Sequence, residues 1–231
     1  MIQPRKDLPQ MDPDRLAVYL RSLEPDDDPF LKDVELRARQ LNIPILRRET
    51  VSLLITLVAA LKPEYILEVG TATGYSALFM ASVGGDALKI DTVERNETNA
   101  GMAEENFRLA KEHGFTSEIR LLRGDAADIL PGLDGPYDLI FMDAAKGQYP
   151  AFLPEVLRLL RPGGMLFTDN VLQDGTLLES RFAVTRRDRT IHARMRDYLY
   201  ELKHNDSLTT SVIPLGDGVA VSYKKEDRYE R

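Results

Sequence analysis

Ile66-Leu67-Glu68-Val69-Gly70-Thr71-Ala72-Thr73-Gly74-Tyr75-Ser76 reads as a strand that runs into a glycine turn and then into a helix. Gly70 and Gly74 let the backbone pass close to a ligand without Cβ clashes. The stretch lacks the full G-x-G-x-x-G. Gly-Thr-Ala-Thr-Gly is a looser turn, with less room for a pyrophosphate. Glu68 adds a carboxylate near the end of the strand. Glu94 closes the next strand, about twenty residues beyond the turn, where an acid can hold a pair of ribose hydroxyls. Carboxylates so placed repel phosphates and attract a cation, such as the sulfonium and ammonium of S-adenosylmethionine. That favours a methyl donor over NAD. The plainer alternative is a glycine-punctuated turn with no ligand. Gly124-Asp125-Ala126 closes the third strand and could meet an adenine; its alternative is a turn with an Asx cap.

Outward from this stretch, the pattern is strand, helix, strand, repeated. Strands are expected at Tyr65–Val69, Lys89–Val93, Glu118–Leu122, Tyr137–Met142 and Met165–Thr168. Helices are expected at Tyr75–Ser82, Thr98–His113, Tyr149–Leu160 and Thr185–His204. A closing hairpin, Thr210–Ile213 with Val219–Tyr223, turns at Leu215-Gly216-Asp217-Gly218. Three helices come first, at Asp12–Leu23, Phe30–Leu41 and Arg48–Leu61. Alternating strands and helices imply a mostly parallel sheet covered on both faces, with the hairpin as an antiparallel edge. The expected organisation is an N-terminal helical extension, residues 1–42, and one α/β domain, residues 43–231. Ligands of such sheets sit outside the carboxyl ends of the strands, and Gly70, Glu94 and Asp125 all fall there.

A second group of residues lies at two later strand ends. Asp143-Ala144-Ala145-Lys146 follows Asp138–Met142, and Asp169-Asn170 follows Met165–Thr168. Two carboxylates and an amide oxygen are hard ligands, suited to Mg²⁺ or another hard divalent cation. Lys146, three residues after Asp143, can point into the same cleft. A metal lowers the pKa of a bound hydroxyl, and a lysine beside it can take the remaining proton. The alternatives are a helix or turn cap for each aspartate and a solvated surface residue for the lysine.

Composition sets the bounds. With 231 residues, 43% of them hydrophobic, the chain can bury one substantial core. It has no cysteine, which excludes disulfides and thiolate zinc sites. Arg5, Lys6 and Asp7 open the chain without an apolar run, so no signal peptide and a cytoplasmic location are expected. Val51–Leu61 is too short to span a bilayer, and no membrane partner is expected. A net charge of −7 gives no global attraction for a polyanion, so any such partner must use a local patch.

Leu67–Ser76, Asp143–Lys146 and Thr168-Asp169-Asn170 together resemble the cation-dependent class I O-methyltransferases, the catechol and caffeoyl-CoA O-methyltransferases and their bacterial relatives. The resemblance covers roughly Ile43 to Tyr223. It implies a Rossmann-like fold with a seven-stranded, mostly parallel sheet. It implies that Asp143, Asp169 and Asn170 bind Mg²⁺, and that Lys146, beside Asp143, is the catalytic base. Glu68, Gly70, Ser76, Glu94, Asp125, Ala126 and Asp143 would line the S-adenosylmethionine pocket. Leu46, in Ile43-Pro44-Ile45-Leu46, matches a further cofactor contact. The plant enzymes carry Asp-Glu-Gly near there, where this chain has Arg48-Glu49-Thr50. A homodimer through the amphipathic N-terminal helices is also expected, as in relatives.

The acceptor separates two readings. Arg181, Arg186, Arg187, Arg189, Arg194 and Arg196 form a basic stretch in an acidic protein. Arg186–His192 with Leu215–Ala220 resembles a bacterial subgroup that methylates 5-hydroxyuridine at the tRNA wobble position. Arg186, Arg187 and Arg189 would then hold the anticodon loop backbone. The alternatives are a small catechol-like or caffeoyl-CoA-like acceptor, with the arginines a solvated helix face, and, more remotely, a noncatalytic or dinucleotide-binding domain.

Overall fold

The computed structural model describes residues 12–26, 28–180, 185 and 189–226. The first half runs α1 (Pro13–Ser22), α2 (Pro29–Gln40), α3 (Arg48–Leu61), β1 (Tyr65–Val69), α4 (Tyr75–Gly84), β2 (Lys89–Glu94) and α5 (Glu97–Glu112). It continues β3 (Glu118–Arg123), α6 (Ala126–Ile129), β4 (Tyr137–Met142), α7 (Tyr149–Leu159) and β5 (Leu160–Thr168). The chain ends with α8 (Arg189–His204), β6 (Leu208–Ile213) and β7 (Val219–Lys224). The seven strands form one sheet in the order β3-β2-β1-β4-β5-β7-β6. Strands β1 to β5 pair in parallel, while β7 runs antiparallel to both β5 and β6. This is the expected Rossmann-like α/β architecture with its antiparallel C-terminal hairpin.

β1 explains why the glycine turn sits where it does. Ile66, Leu67, Glu68 and Val69 are all buried, as a central parallel strand requires. Strand order reverses between β1 and β4, so the turn after β1 opens at the switch point, where these sheets bind ligands. Helices cover both faces. Leu54 of α3, Leu78 of α4 and Phe107 of α5 share one core with Phe141 and Phe167. Phe152 and Val156 of α7 with Met195 and Tyr198 of α8 share the other, against Leu67 and Ile140. Phe30, Leu31 and Val34 of α2 belong to the first core, so the second N-terminal helix is packed into the α/β body. Val18 and Tyr19 of α1, with Leu23 just after it, remain exposed.

Several boundaries differ from those expected of the sequence. β5 begins at Leu160 rather than Met165, because Arg161-Pro162-Gly163-Gly164 is drawn into the strand. Gly164 makes this possible: a Cβ there would lie 2.9 Å from the Arg161 carbonyl and 3.0 Å from that of Asp138. α8 begins at Arg189, with Thr185 outside it. The short α6 and a 3₁₀ segment at Gln173–Leu178 carry too few residues to show a period. No helix among the described residues is long and apolar enough to cross a membrane.

Glu68 is the one charged side chain wholly inside this body among the described residues. Its carboxylate accepts hydrogen bonds from the Ser76 hydroxyl of α4 and the Thr92 hydroxyl of β2. Thr92 in turn accepts from Thr71, since its own proton goes to Glu68. Burial pushes the Glu68 carboxyl up to about 8; the two hydroxyls oppose this, and nearby Asp143 and Glu94 add to it. Between the ordinary glutamate value and that one, the folded chain holds a proton that the unfolded chain has lost. Stability contributed by Glu68 is therefore full in acid and falls as pH rises towards 8. Glu68→Gln should flatten that fall, measured as the difference in urea unfolding free energy between pH 5 and pH 8. A variant with the wild-type slope would show that Glu68 titrates normally in the folded chain.

Candidate active site

The carboxyl ends of β1, β2, β3 and β4 enclose a cleft of about 480 Å³. Gly70, Glu94, Asp125, Ala126 and Asp143, all expected around the cofactor, line it together. Gly70 adopts φ +108, and a Cβ there would run into the Asp143 carbonyl, so only glycine fits. Glu94 receives two backbone N–H groups, from Ala72 at 2.8 Å and Asn96 at 2.7 Å, and these hold its carboxylate at the rim. Asp125 caps α6 by accepting from the Ala127 N–H at 3.0 Å, so its Asx-cap role and its place in the cleft coexist.

Three expected cofactor positions do not line the cleft. Glu68 and Ser76 lie beneath the turn, hydrogen-bonded to each other. Leu46 is buried and borders a neighbouring cavity, while Ile43 and Pro44 of the same segment do line the cleft. Ala72 and Ala144, quoted within the two motifs but given no role, line it as well, as do Asn99 and Phe152. Ala72 and Ala144 follow strand ends, a positional signal that could have flagged them. Phe152 reads only as part of the apolar face of α7.

Asp143, Lys146, Asp169 and Asn170 meet at the adjoining ends of β4 and β5. Asn170 adopts φ +62. Its amide nitrogen donates to Asp169 Oδ2 at 2.9 Å and to Asp143 Oδ1 at 3.4 Å. Lys146 Nζ donates to Asn170 Oδ1 at 3.1 Å. Among the described residues no three His, Cys, Asp or Glu side chains gather into a metal-sized group; this set is two carboxylates and an amide. Asp169 Oδ1 is buried and has no hydrogen-bond partner. An orphaned carboxylate oxygen beside a second carboxylate is a donor set that hard divalent cations take.

Burial pushes Asp143 up; the Asn170 amide and the charge of Lys146 oppose it. Burial likewise pushes Asp169 up, reinforced by the charges of Asp143 and Asp217. The described arginines of the basic stretch are engaged within the chain. Arg194 donates to the Gly147 carbonyl at 2.9 Å, and Arg196 to the Leu177 carbonyl at 2.8 Å. Arg189 opens α8. Arg181, Arg186 and Arg187 lie outside the described residues.

The paired aspartates oppose folding when both are charged, so their contribution is lost as pH rises above the ordinary carboxylate range. Asp169→Asn removes one charge and keeps an oxygen for Asn170. In chelator at pH 8 it should raise Tm, by about 2–4 °C for each 1 kcal/mol of repulsion relieved. A lower Tm would mean that the carboxylates are not in mutual repulsion.

A family model described as O-methyltransferase matches residues 28–225. A catechol O-methyltransferase of Niastella koreensis is 40% identical over 118 residues, 49% of this chain and 52% of that protein, so the match spans about half its length. A candidate caffeoyl-CoA O-methyltransferase from Staphylococcus aureus superposes with a TM-score of 0.82 at 32% identity, over 91% of this chain and 99% of that one. The SAH-bound methyltransferase PaMTH1 of Podospora anserina gives a TM-score of 0.81 at 25% identity, over 95% of this chain and 100% of that one. A glycine turn that opens at the switch point beside two strand-end aspartates is thus found within a chain that belongs to the O-methyltransferase family.

Proposed function

We propose that this protein is an S-adenosylmethionine-dependent and divalent-cation-dependent O-methyltransferase acting on an acceptor with vicinal oxygens. The observation that carries the proposal is the contact chain from Lys146 through Asn170 to Asp169 and Asp143, at a cleft that also holds Gly70 and Glu94. The residues fit both groups. Glu94 would hold the ribose hydroxyls, and Gly70 would let the cofactor approach the backbone. Asp143 and Asp169 would hold the cation, with the orphaned Asp169 Oδ1 among the donors, and Asn170 would join them by turning its amide oxygen from Lys146 toward the carboxylates. S-adenosylmethionine supplies the methyl group when bound, and a divalent cation supplies Lewis acidity that lowers the acceptor hydroxyl pKa. Lys146 Nζ, beside that cluster, would in its neutral amine form take the proton that the acceptor hydroxyl loses and become the ammonium. SAH, the demethylated product of the donor, occupies the Podospora relative, which supports the donor reading.

The proposed acceptor is 5-hydroxyuridine at the tRNA wobble position. Its 5-hydroxyl and 4-carbonyl are vicinal oxygens, as in a catechol, and the base must be splayed out to reach the cleft. Support comes from the resemblance of Arg186–His192 and Leu215–Ala220 to that bacterial subgroup. A small catechol-like acceptor is the second reading. The name of the Niastella relative favours it, as does the engagement of Arg194 and Arg196 with backbone carbonyls. A homodimer through the exposed apolar residues of α1 and a cytoplasmic location complete the proposal.

Total tRNA and a simple catechol should each be offered with and without Mg²⁺, and products read by nucleoside and small-molecule mass analysis. 5-Methoxyuridine formed only with the cation supports the tRNA reading; methylation of the catechol alone moves the acceptor to the second. Full activity in excess chelator overturns the cation reading. On whichever acceptor is active, Lys146→Ala should lower kcat by about 10²–10⁴-fold and leave cofactor Kd nearly unchanged. An unchanged rate at every pH would return Lys146 to the solvated surface.

A further inference from the structure

The turn between β6 and β7 abuts the segment that follows Asp169 and Asn170. The N–H of Val171 donates to the Gly218 carbonyl at 2.9 Å, and that of Leu172 to the Asp217 carbonyl at 2.9 Å. A Cβ on Gly218 would run into Leu172, so the turn is pressed onto the segment without an intervening side chain. The other side of the turn meets the N-terminal half. A Cβ on Gly216 would lie 2.8 Å from the Thr50 hydroxyl and 3.4 Å from Arg47 Cδ. The Asp217 carboxylate is ion-paired with the Arg47 guanidinium. Arg47 precedes α3 and lies three residues beyond Pro44, which lines the cleft.

We propose that Arg47 and Asp217 are positioning residues. Their ion pair fixes the β6–β7 turn, which through Val171 and Leu172 sets Asn170 and Asp169 in the arrangement that receives the divalent cation. The inference rests on the cation reading of those two residues. The geometry separates positioning from stabilisation. The Asp217 side chain is 18% exposed but that of Arg47 is 42% exposed, and a pair with one solvated partner contributes little to stability. Neither residue lines the cofactor cleft. The N–H groups of Val171 and Leu172 donate to backbone carbonyls, so side-chain substitution leaves those acceptors in place while releasing the ion-pair restraint on the turn. Asn170 holds a left-handed backbone conformation between the strand end and this buttress. Its amide nitrogen donates to the two carboxylates and its oxygen accepts from Lys146, so holding a cation requires the oxygen to swing toward the carboxylates about a fixed backbone, and a loosened turn lets that backbone drift. Outer residues that orient a ligand set are typically worth about 10–100-fold in metal affinity.

The test uses the full chain and Mn²⁺ as probe, with free ion read by electron paramagnetic resonance. Arg47→Ala and Asp217→Asn should each weaken Mn²⁺ binding by about tenfold or more. The double variant should lose no more than the worse single one, because the two act as a pair. Arg47→Lys should restore most of the affinity. Calorimetric affinity for S-adenosylhomocysteine should stay at the wild-type level, and Tm should fall by no more than about 2–4 °C. Wild-type Mn²⁺ affinity in both single variants overturns the positioning role alone. Parallel loss of cofactor affinity and Tm, or additive losses in the double variant, also overturns it, since the pair would then be a general structural contact. A wild type that binds no Mn²⁺ overturns the cation reading and the positioning role with it.

Discussion

The close approach of two backbone turns at the switch point governs the rest of the molecule. Gly70 leaves β1 with its Cα against the Asp143 carbonyl, and Asp143 leaves β4 with its N–H bonded to the Val69 carbonyl at 2.9 Å. The Gly70 N–H turns back to the Val93 carbonyl at 3.0 Å, which ties in β2. Three strand ends are thus locked at one point by main-chain contacts, before any side chain acts. Any side chain at position 70 would separate β1 from β4. It would thereby part the cleft walls carrying Glu94 and Asp125 from the cluster carrying Asp143 and Asp169. The glycine is a steric requirement of the sheet as much as a ligand-binding device.

Around that point the fold tolerates local electrostatic cost. Glu68 lies fully buried below the turn, and Asp143 and Asp169 face each other above it, with Asp217 near. Each is held by hydrogen bonds, yet none has a full complement of positive charge. Lys146 addresses the cluster through the Asn170 oxygen. A folding optimum would remove one of these acids. Their presence in one place fits a site whose charge is completed by what it binds, and such sites commonly trade stability for activity.

The parts of this arrangement that a sequence displays are those carried by contiguous residues. Tyr137–Met142 is a mostly apolar run and emerges as β4 with the same ends. Gly70, Glu94 and Asp143 lie at or just past strand ends, so their convergence is implied once the strands are known to be parallel. What stays hidden depends on packing between distant segments. Glu68 reads as a strand-end acid open to ligand, but the residues that enclose it, Ser76 and Thr92, are ordinary polar positions in a helix and a strand. Arg194 and Arg196 read as a charged helix face, yet their partners are the carbonyls of Gly147 and Leu177, in 3₁₀ segments too short to show a period. Likewise, nothing local to Arg161-Pro162-Gly163-Gly164 announces that a register irregularity between Tyr137 and Leu139 admits it to β5.

This contrast separates the two halves of the site. On the proposed reading, the cofactor side would be assembled from the turns after β1, β2 and β3, each of which carries a candidate residue at the end of a predictable strand. The proposed acceptor side would draw on Asn170 after β5, on the β6–β7 turn and, through the contact of Arg194 with Gly147, on α8 beside Lys146. Those pieces are joined by irregular backbone and by contacts across long sequence separations. Irregular connections tolerate change where strands do not. A constant donor chemistry can therefore rest on the rigid half of the sheet while the identity of the acceptor is set on the other. On that reading, acceptor choice would be the property that the architecture of the strands constrains least, and it would depend on how these few C-terminal segments are braced against Asp143 and Asp169.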